Sequence, residues 1–147
     1  MGTVRIRSQI DGDFDGWTGD TVVKLMNGQA WQQATYHYSY HYAFMPVVEV
    51  ALVNGQTVMR VAGVPGAVPV TEVSIECEGS IVSPFMGFRQ GMLFQFDTGH
   101  VWQQVEATTE SHHEARPSAL VVDGLNGTVL KVKGIDTVVE VRRVARR

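Results

Sequence analysis

The chain has 147 residues, with 12 basic against 15 acidic side chains and a formal net charge of −3, a length that suits one ordinary domain or two very small ones. Hydrophobic residues make up 44 % and charged ones 18 %, enough apolar material to bury a core and too little charge for a disordered chain. A single cysteine, Cys77, excludes an internal disulfide and a cysteine-rich zinc site; no apolar run approaches the ~18 residues of a membrane helix, and the acidic balance argues against general nucleic-acid binding.

In chain order, the opening MGTVRIRSQI lacks the continuous apolar segment of a signal peptide, which points to the cytoplasm. Asp11-Gly12-Asp13-Phe14-Asp15-Gly16 then matches the start of an EF-hand loop. The twelfth loop position, however, is Val22 rather than a bidentate Glu, and no helical period flanks it, so a solvated acidic turn is expected. Thr21–Met26 and Gln29–Thr35 flank Asn27-Gly28, and Val47–Val53 and Gln56–Ala62 flank Asn54-Gly55, which predicts two β-hairpins. Gly63-Val64-Pro65-Gly66 links to Val68–Val73, where Val68 and Val70 alternate with Pro69 and Thr71, and Pro69 makes it an edge strand or confines it to a position where its missing N–H is not needed. The second half repeats the pattern in Met92–Asp97, His100–Ala107, Ser118–Asp123, Thr128–Lys133 and Val138–Val144, with turns at Thr98-Gly99 and Asn126-Gly127. No twelve-residue segment has a helical period.

The halves align without a gap at an offset of 71. Trp31-Gln32-Gln33 returns as Trp102-Gln103-Gln104, and positions 10–73 share 17 identities over 64 positions with their counterparts, where chance gives about four. A tandem duplication follows, with copies at residues 1–75 and 76–147 and a seam near Val73–Gly79. Five short strands, two tight hairpins and a short link in each copy describe an all-β protein made of two five-stranded SH3-like barrels in tandem.

The run from Phe14 to Gln33 carries the pattern F-x-G-W-x-G-x-T-x-x-K-L-x-N-G-Q-x-W-Q-Q. It resembles an uncharacterised bacterial family of small β domains, some found as products of mobile gene cassettes. Copy one matches from Phe14 to about Val73; in copy two Phe88 replaces the first Trp, Gln95 the Lys, and the Tyr-rich stretch is lost. The resemblance implies a bacterial origin and a small β-barrel fold, and it brings no activity.

The most unusual local feature is Tyr36-His37-Tyr38-Ser39-Tyr40-His41-Tyr42, which holds all 4 tyrosines of the chain. As a strand it would put Tyr36, Tyr38, Tyr40 and Tyr42 on one face and His37, Ser39 and His41 on the other. Such a row suits packing between barrels or protomers, or contact with a peptide or small ligand. Copy two has Ala107, Thr109, Ser111 and His113 instead, so whatever the row does is needed once. His37 and His41 stand about 13 Å apart along a strand, too far to chelate one metal. Trp31, Trp102 and the glutamines after them are expected to be structural, with the rings inward and the amides closing backbone hydrogen bonds. Arg142, Arg143, Arg146 and Arg147 read as a solvated basic end rather than a nucleic-acid arm.

No nucleophile elbow, Walker loop or dinucleotide fingerprint is present. The sequence thus argues against an enzyme, a cofactor, a metal or a catalytic residue. It favours a binding or adaptor module with an aromatic surface built from Trp17, Tyr36, Tyr38, Tyr40, Tyr42 and His41, facing a protein, peptide or small molecule, or a second copy of the chain. The competing readings are a small hydrolase or metal-dependent enzyme using His37, His41, His112 or His113 with Asp11–Asp15, and a nucleic-acid binder.

Overall fold

The computed structural model describes residues 3–144, with side chains from residue 5 onward, so Arg146 and Arg147 of the basic end lie outside it. All regular structure among the described residues is β-strand, and no helix is long and apolar enough to cross a membrane. The chain divides into two compact units between Ser74 and Ile75.

The first unit contains β1 (Thr3–Gln9), β2 (Asp13–Trp17), β3 (Val22–Lys24), β4 (Ala30–Gln33), β5 (Ser39–Phe44), β6 (Val47–Val53), β7 (Gln56–Val61) and the start of β8 (Val68–Ser80). The strands pair antiparallel in the order β1-β6-β7-β8-β4-β3, while β2 and β5 form a separate two-stranded ribbon. The second unit takes residues 75–80 of β8 and adds β9 (Gly87–Phe88), β10 (Leu93–Gln95), β11 (Val101–Gln104), β12 (Glu110–Ser111), β13 (Ser118–Gly124), β14 (Gly127–Val132) and β15 (Val139–Val144). Its order is β8-β13-β14-β15-β11-β10, with β9 and β12 as the ribbon.

No strand ladder closes either sheet into the barrel expected from the sequence. The outer strands of the first sheet meet only at the bridge Ile10–Leu25, where Asp11 donates to the Lys24 carbonyl and Met26 to that of Gln9. In the second, Ile81–Phe96 is the corresponding bridge.

Registers recur at the 71-residue offset. Val48 faces Val61 as Ala119 faces Val132, and Val22 faces Gln32 as Leu93 faces Gln103. Met45 and Arg116, 71 residues apart and neither of them glycine, share a left-handed conformation with φ 48° and 51°.

The hairpins form where the turn residues predict, with differences in turn type. Asn54 and Gly55 take φ 51° and 79° between the paired Val53 and Gln56, as a two-residue hairpin turn requires. In the second unit, Gly124 pairs with Gly127, so Leu125 and Asn126 are the central residues rather than Asn126-Gly127. Leucine at a position needing positive φ would be strained; Gly127 takes φ 128° in its place. At Asn27-Gly28 the Gly28 N–H donates to the Leu25 carbonyl and Gly28 takes φ 93°, a one-turn loop followed by a left-handed glycine.

Alternation along the strands fills two separate cores. In the first, Val48 and Val50 of β6 and Val68 and Val70 of β8 point inward with Trp31 and Met59. Phe14 and Trp17 pack edge to face there, centroids 5.3 Å apart. Phe85 and Phe88 repeat this contact at 6.1 Å in the second core, which also takes Cys77 and Trp102. Burial of each such ring contributes about 1.5–3 kcal/mol. The Trp31 and Trp102 indole N–H groups have no hydrogen-bond partner among the described residues, so both rings act through packing.

Two strands depart from the sequence expectation in a way that matters for the surface. The acidic stretch at 11–16 is a turn only at its start: Asp11-Gly12 form the bend after β1, and β2 runs on from Asp13, with Phe14 buried between half-buried Asp13 and Asp15. The expected seam at Val73–Gly79 contains the division between the units at Ser74 and Ile75, and the backbone crosses it as one unbroken strand, β8.

Gly16 fixes the β2–β5 ribbon. It has φ 109°, and a Cβ there would collide with the Ser39 carbonyl oxygen of β5; Gly87 meets the Glu110 carbonyl in the same way. Gly16→Ala is therefore expected to cost about 2–4 kcal/mol. Gly28→Ala, whose Cβ would meet nothing within 4 Å, should cost only the left-handed penalty of about 1–2 kcal/mol. Urea unfolding of the two variants beside the parent checks the order.

Candidate functional site: the aromatic ribbon

The ribbon's outer face holds the tyrosines. Along β5 exposure alternates, so Tyr40, Tyr42 and Phe44 face outward at 74 %, 55 % and 64 % relative exposure. Tyr36 and Tyr38, at 80 % and 64 %, precede the strand. The row is thus uncovered in the chain itself.

A buried amide sets the approach to β5. Gln33 Oε1 accepts the Gly19 N–H at 2.8 Å, while its Nε2 donates to the carbonyl oxygens of Thr35 and His37 at 3.1 and 2.8 Å. With those carbonyls drawn toward Gln33, the intervening Tyr36 and the following Tyr38 are left outward. Tyr36 lies over Gly19, where a Cβ would stand 3.0 Å from its ring. Gln104 reproduces the device in the second unit, bonding the Arg89 N–H and the carbonyls of Glu106 and Thr108. The structural role expected for the Trp-Gln-Gln tripeptides thus falls chiefly on their second glutamine.

Across the ribbon, Asp13 stands opposite Phe44, and Gly16 opposite Tyr40. The register slips between them, so His41 and Tyr42 face the single residue Asp15. The Tyr42 hydroxyl donates to Asp13 Oδ1 at 2.8 Å. That bond, then partial desolvation and the negative charges of Asp13 and Asp15, raises the Tyr42 pKa above the ordinary phenol value of 10.0.

The other residues singled out by the sequence are elsewhere. Trp17, grouped with the tyrosines, is 1 % exposed and belongs to the core, so it contributes no recognition surface. The alternation of β2 breaks at Gly16, with φ 109° beside the register slip, so Phe14 and Trp17 both take the inner side while Asp13 and Asp15 stay half-exposed. His41 is half-buried on the opposite face of β5 from Tyr40 and Tyr42, its Nε2 against Gly63. His37 and His113 are exposed, and His112 packs on Phe85 and pairs with Glu114 at 3.2 Å. His41 and Asp13 therefore do not converge as an acid–base pair. Among the described residues no group of three or more His, Cys, Asp or Glu side chains is placed to hold a metal ion. Arg142 donates to Gln103 Oε1 and so joins the sheet surface.

Phe44 and Asp13 were missed as members of the face. The period of two that marks Tyr38, Tyr40 and Tyr42 continues to Phe44, and Asp13-Phe14-Asp15 alternates polar, apolar, polar as a half-buried strand does. In the second unit the corresponding positions are Ala107, Thr109, Ser111, His113 and Ala115, and Pro84 and Met86 stand at the positions of the acids. No protein-family model, curated protein or solved structure matches the chain.

Removing the amide should loosen the approach to β5. Gln33→Ala is expected to cost about 2 kcal/mol, because the part-buried Gly19 N–H and two carbonyls lose their partner; hydrogen exchange should accelerate at residues 35–38. The Tyr42 phenol provides a second check. Its raised pKa means that the folded state holds the proton more tightly, so this contribution to stability is present below about pH 10 and is lost as pH rises through the folded value. Asp13→Asn should lower the Tyr42 midpoint, followed through its ring resonances in an NMR pH titration.

Proposed function

We propose that the protein is a non-enzymatic binding module whose first unit recognises a partner through the outward face formed by Tyr36, Tyr38, Tyr40, Tyr42 and Phe44. The carrying observation is the exposure of five large aromatic side chains within nine residues of one unit, with none at the corresponding positions of the other. Soluble chains seldom leave such a patch open unless it meets something. Tyrosine also suits a surface that alternates between water and a partner, since its hydroxyl stays hydrogen-bonded in either state. The Tyr42–Asp13 bond and the Gln33 amide hold parts of the face in place before contact, which lowers the ordering cost of binding.

In the same reading each unit is an open variant of an SH3-like barrel, its outer strands joined by a single bridge. The two arose by tandem duplication within the bacterial family of small β domains that the Phe14–Gln33 motif resembles, and the protein works in the cytoplasm. The recurring registers, the paired left-handed residues at 45 and 116 and the twin glutamine staples support the duplication. The partner is a polypeptide, a small molecule or a second copy of the chain.

Tyr38→Ser combined with Tyr40→Ser tests the reading. Both side chains are exposed, so the melting temperature should change little, each surface replacement being worth about 0.5 kcal/mol or less. Self-association in sedimentation velocity, or binding in peptide and glycan arrays, should fall. An unchanged sedimentation profile together with an unchanged array profile would reduce the face to local packing.

A further inference from the structure

We propose that the β2–β5 ribbon docks an extended polypeptide segment bearing arginine or lysine at alternate positions, which lies as a further strand beside β5. The proposal rests on the recognition reading above and names the partner of that same face. Three features of the ribbon carry it.

The first is an open edge. β5 pairs with β2 alone, so among the described residues no strand occupies its other side. Proteins usually protect such an edge with lysine, proline or a covering segment. From Tyr36 to Met45 there is neither lysine nor proline. An added strand would satisfy the backbone groups of that edge, the recognition mode in which main-chain hydrogen bonds supply affinity and alternate side chains supply specificity.

The second is the repeat of the face. Tyr40, Tyr42 and Phe44 follow one another at every second residue, about 6.8 Å apart along a strand. A neighbouring strand has the same repeat, so its outward side chains fall beside successive rings. Guanidinium or ammonium groups gain cation–π attraction there.

The third is charge. Asp13 and Asp15 border the rings, and Asp11 and Asp20 lie in the same stretch of chain. Between Arg7 and Arg60 the sequence holds a single basic residue, Lys24. A cationic side chain crossing the Tyr42 ring reaches the carboxylate that already holds the Tyr42 hydroxyl. The same charges disfavour the other occupants. Nucleic acid would bring phosphates onto the acids. A second copy docked face to face would oppose two Asp13–Asp15 pairs. A neutral glycan would stack on the rings but leave the edge amides unpaired.

The test uses the full chain and fluorescein-labelled peptides of about nine residues, long enough to span Tyr36–Phe44. One alternates Arg with Thr and Val, one has Glu in place of Arg, and one keeps Arg but is N-methylated at alternate residues. Fluorescence anisotropy should show binding of the first. The Glu and N-methylated peptides should bind at least about tenfold more weakly, a difference of about 1.4 kcal/mol. Asp13→Asn and Asp15→Asn, made separately, should each weaken the Arg peptide about threefold or more and flatten its salt dependence. Hydrogen exchange at residues 38–44 should slow on binding.

Equal affinity for the Arg and Glu peptides, or no binding of either, would overturn the proposal, as would full retention of affinity by the N-methylated peptide. If the Arg peptide fails while Tyr38→Ser with Tyr40→Ser abolishes glycan binding or self-association, the partner assignment falls and the recognition face stands. If that double variant alters nothing, both fall.

Discussion

The Gln33 carboxamide, buried to 2 % exposure, accepts one backbone N–H and donates to two carbonyls, and the geometry of the exposed tyrosine face depends on it. A buried amide is costly unless its donors and acceptor are used. Here three of its four hydrogen-bonding positions are taken by backbone groups from two separate stretches, the Gly19 turn and the segment before β5. The chain therefore enters β5 with one alternation only, carbonyls of Thr35 and His37 inward and tyrosines outward. A slip of one residue would strand both carbonyls and turn the tyrosines toward the core.

Gly16 does for the ribbon what Gln33 does for its approach. The β5 backbone comes so close at Ser39 that no side chain fits, and this contact fixes which residues of β2 and β5 stand opposite each other. The alternation of β2 then serves two ends at once. Phe14 enters the core against Trp17, and the acids on either side of it are left among the outward rings. Core packing and surface charge are thus set by the same four residues, Asp13-Phe14-Asp15-Gly16. An aromatic face bordered by carboxylates is more soluble than one of hydrocarbon alone, and its charge is of the sign that the proposed cationic partner requires.

How much of this was legible in the sequence depended on where the signal lay. The hairpins at Asn54-Gly55 and Asn27-Gly28 could be read because the turn residues themselves demand the conformation. The strands around them followed from valine alternation, with ends within about two residues. β2 was not legible as a strand: Asp and Gly are rare in sheets, and the acid spacing imitates a metal loop. Its period is carried by the three residues Asp13-Phe14-Asp15 alone, and the burial of Phe14 makes it plain. Trp17 was misplaced for a related reason, since an aromatic near a tyrosine row in sequence says nothing about which side of the ribbon it takes. Phe44 continues the period of two beyond the last tyrosine, where residue type no longer marks the row. The turn at Leu125-Asn126 differed from the expected Asn126-Gly127 because the register, which no local signal carries, moved the glycine one place outward.

The second unit makes the strongest argument about the first, because it holds nearly the same framework without the same surface. It has the buried amide at Gln104, the close approach at Gly87, the edge-on aromatic pair at Phe85 and Phe88, and the left-handed residue at Arg116. Those groups suffice to build the ribbon from β9 and β12 with alanine, threonine and serine on its outer face. Folding therefore does not require the tyrosines. Their exposed rings gain little from the chain's own packing: of the four, Tyr36 touches Gly19 and Tyr42 bonds Asp13. A group of side chains that the framework does not need, that water does not favour and that stands in one unit alone is what the proposed contact with a partner explains.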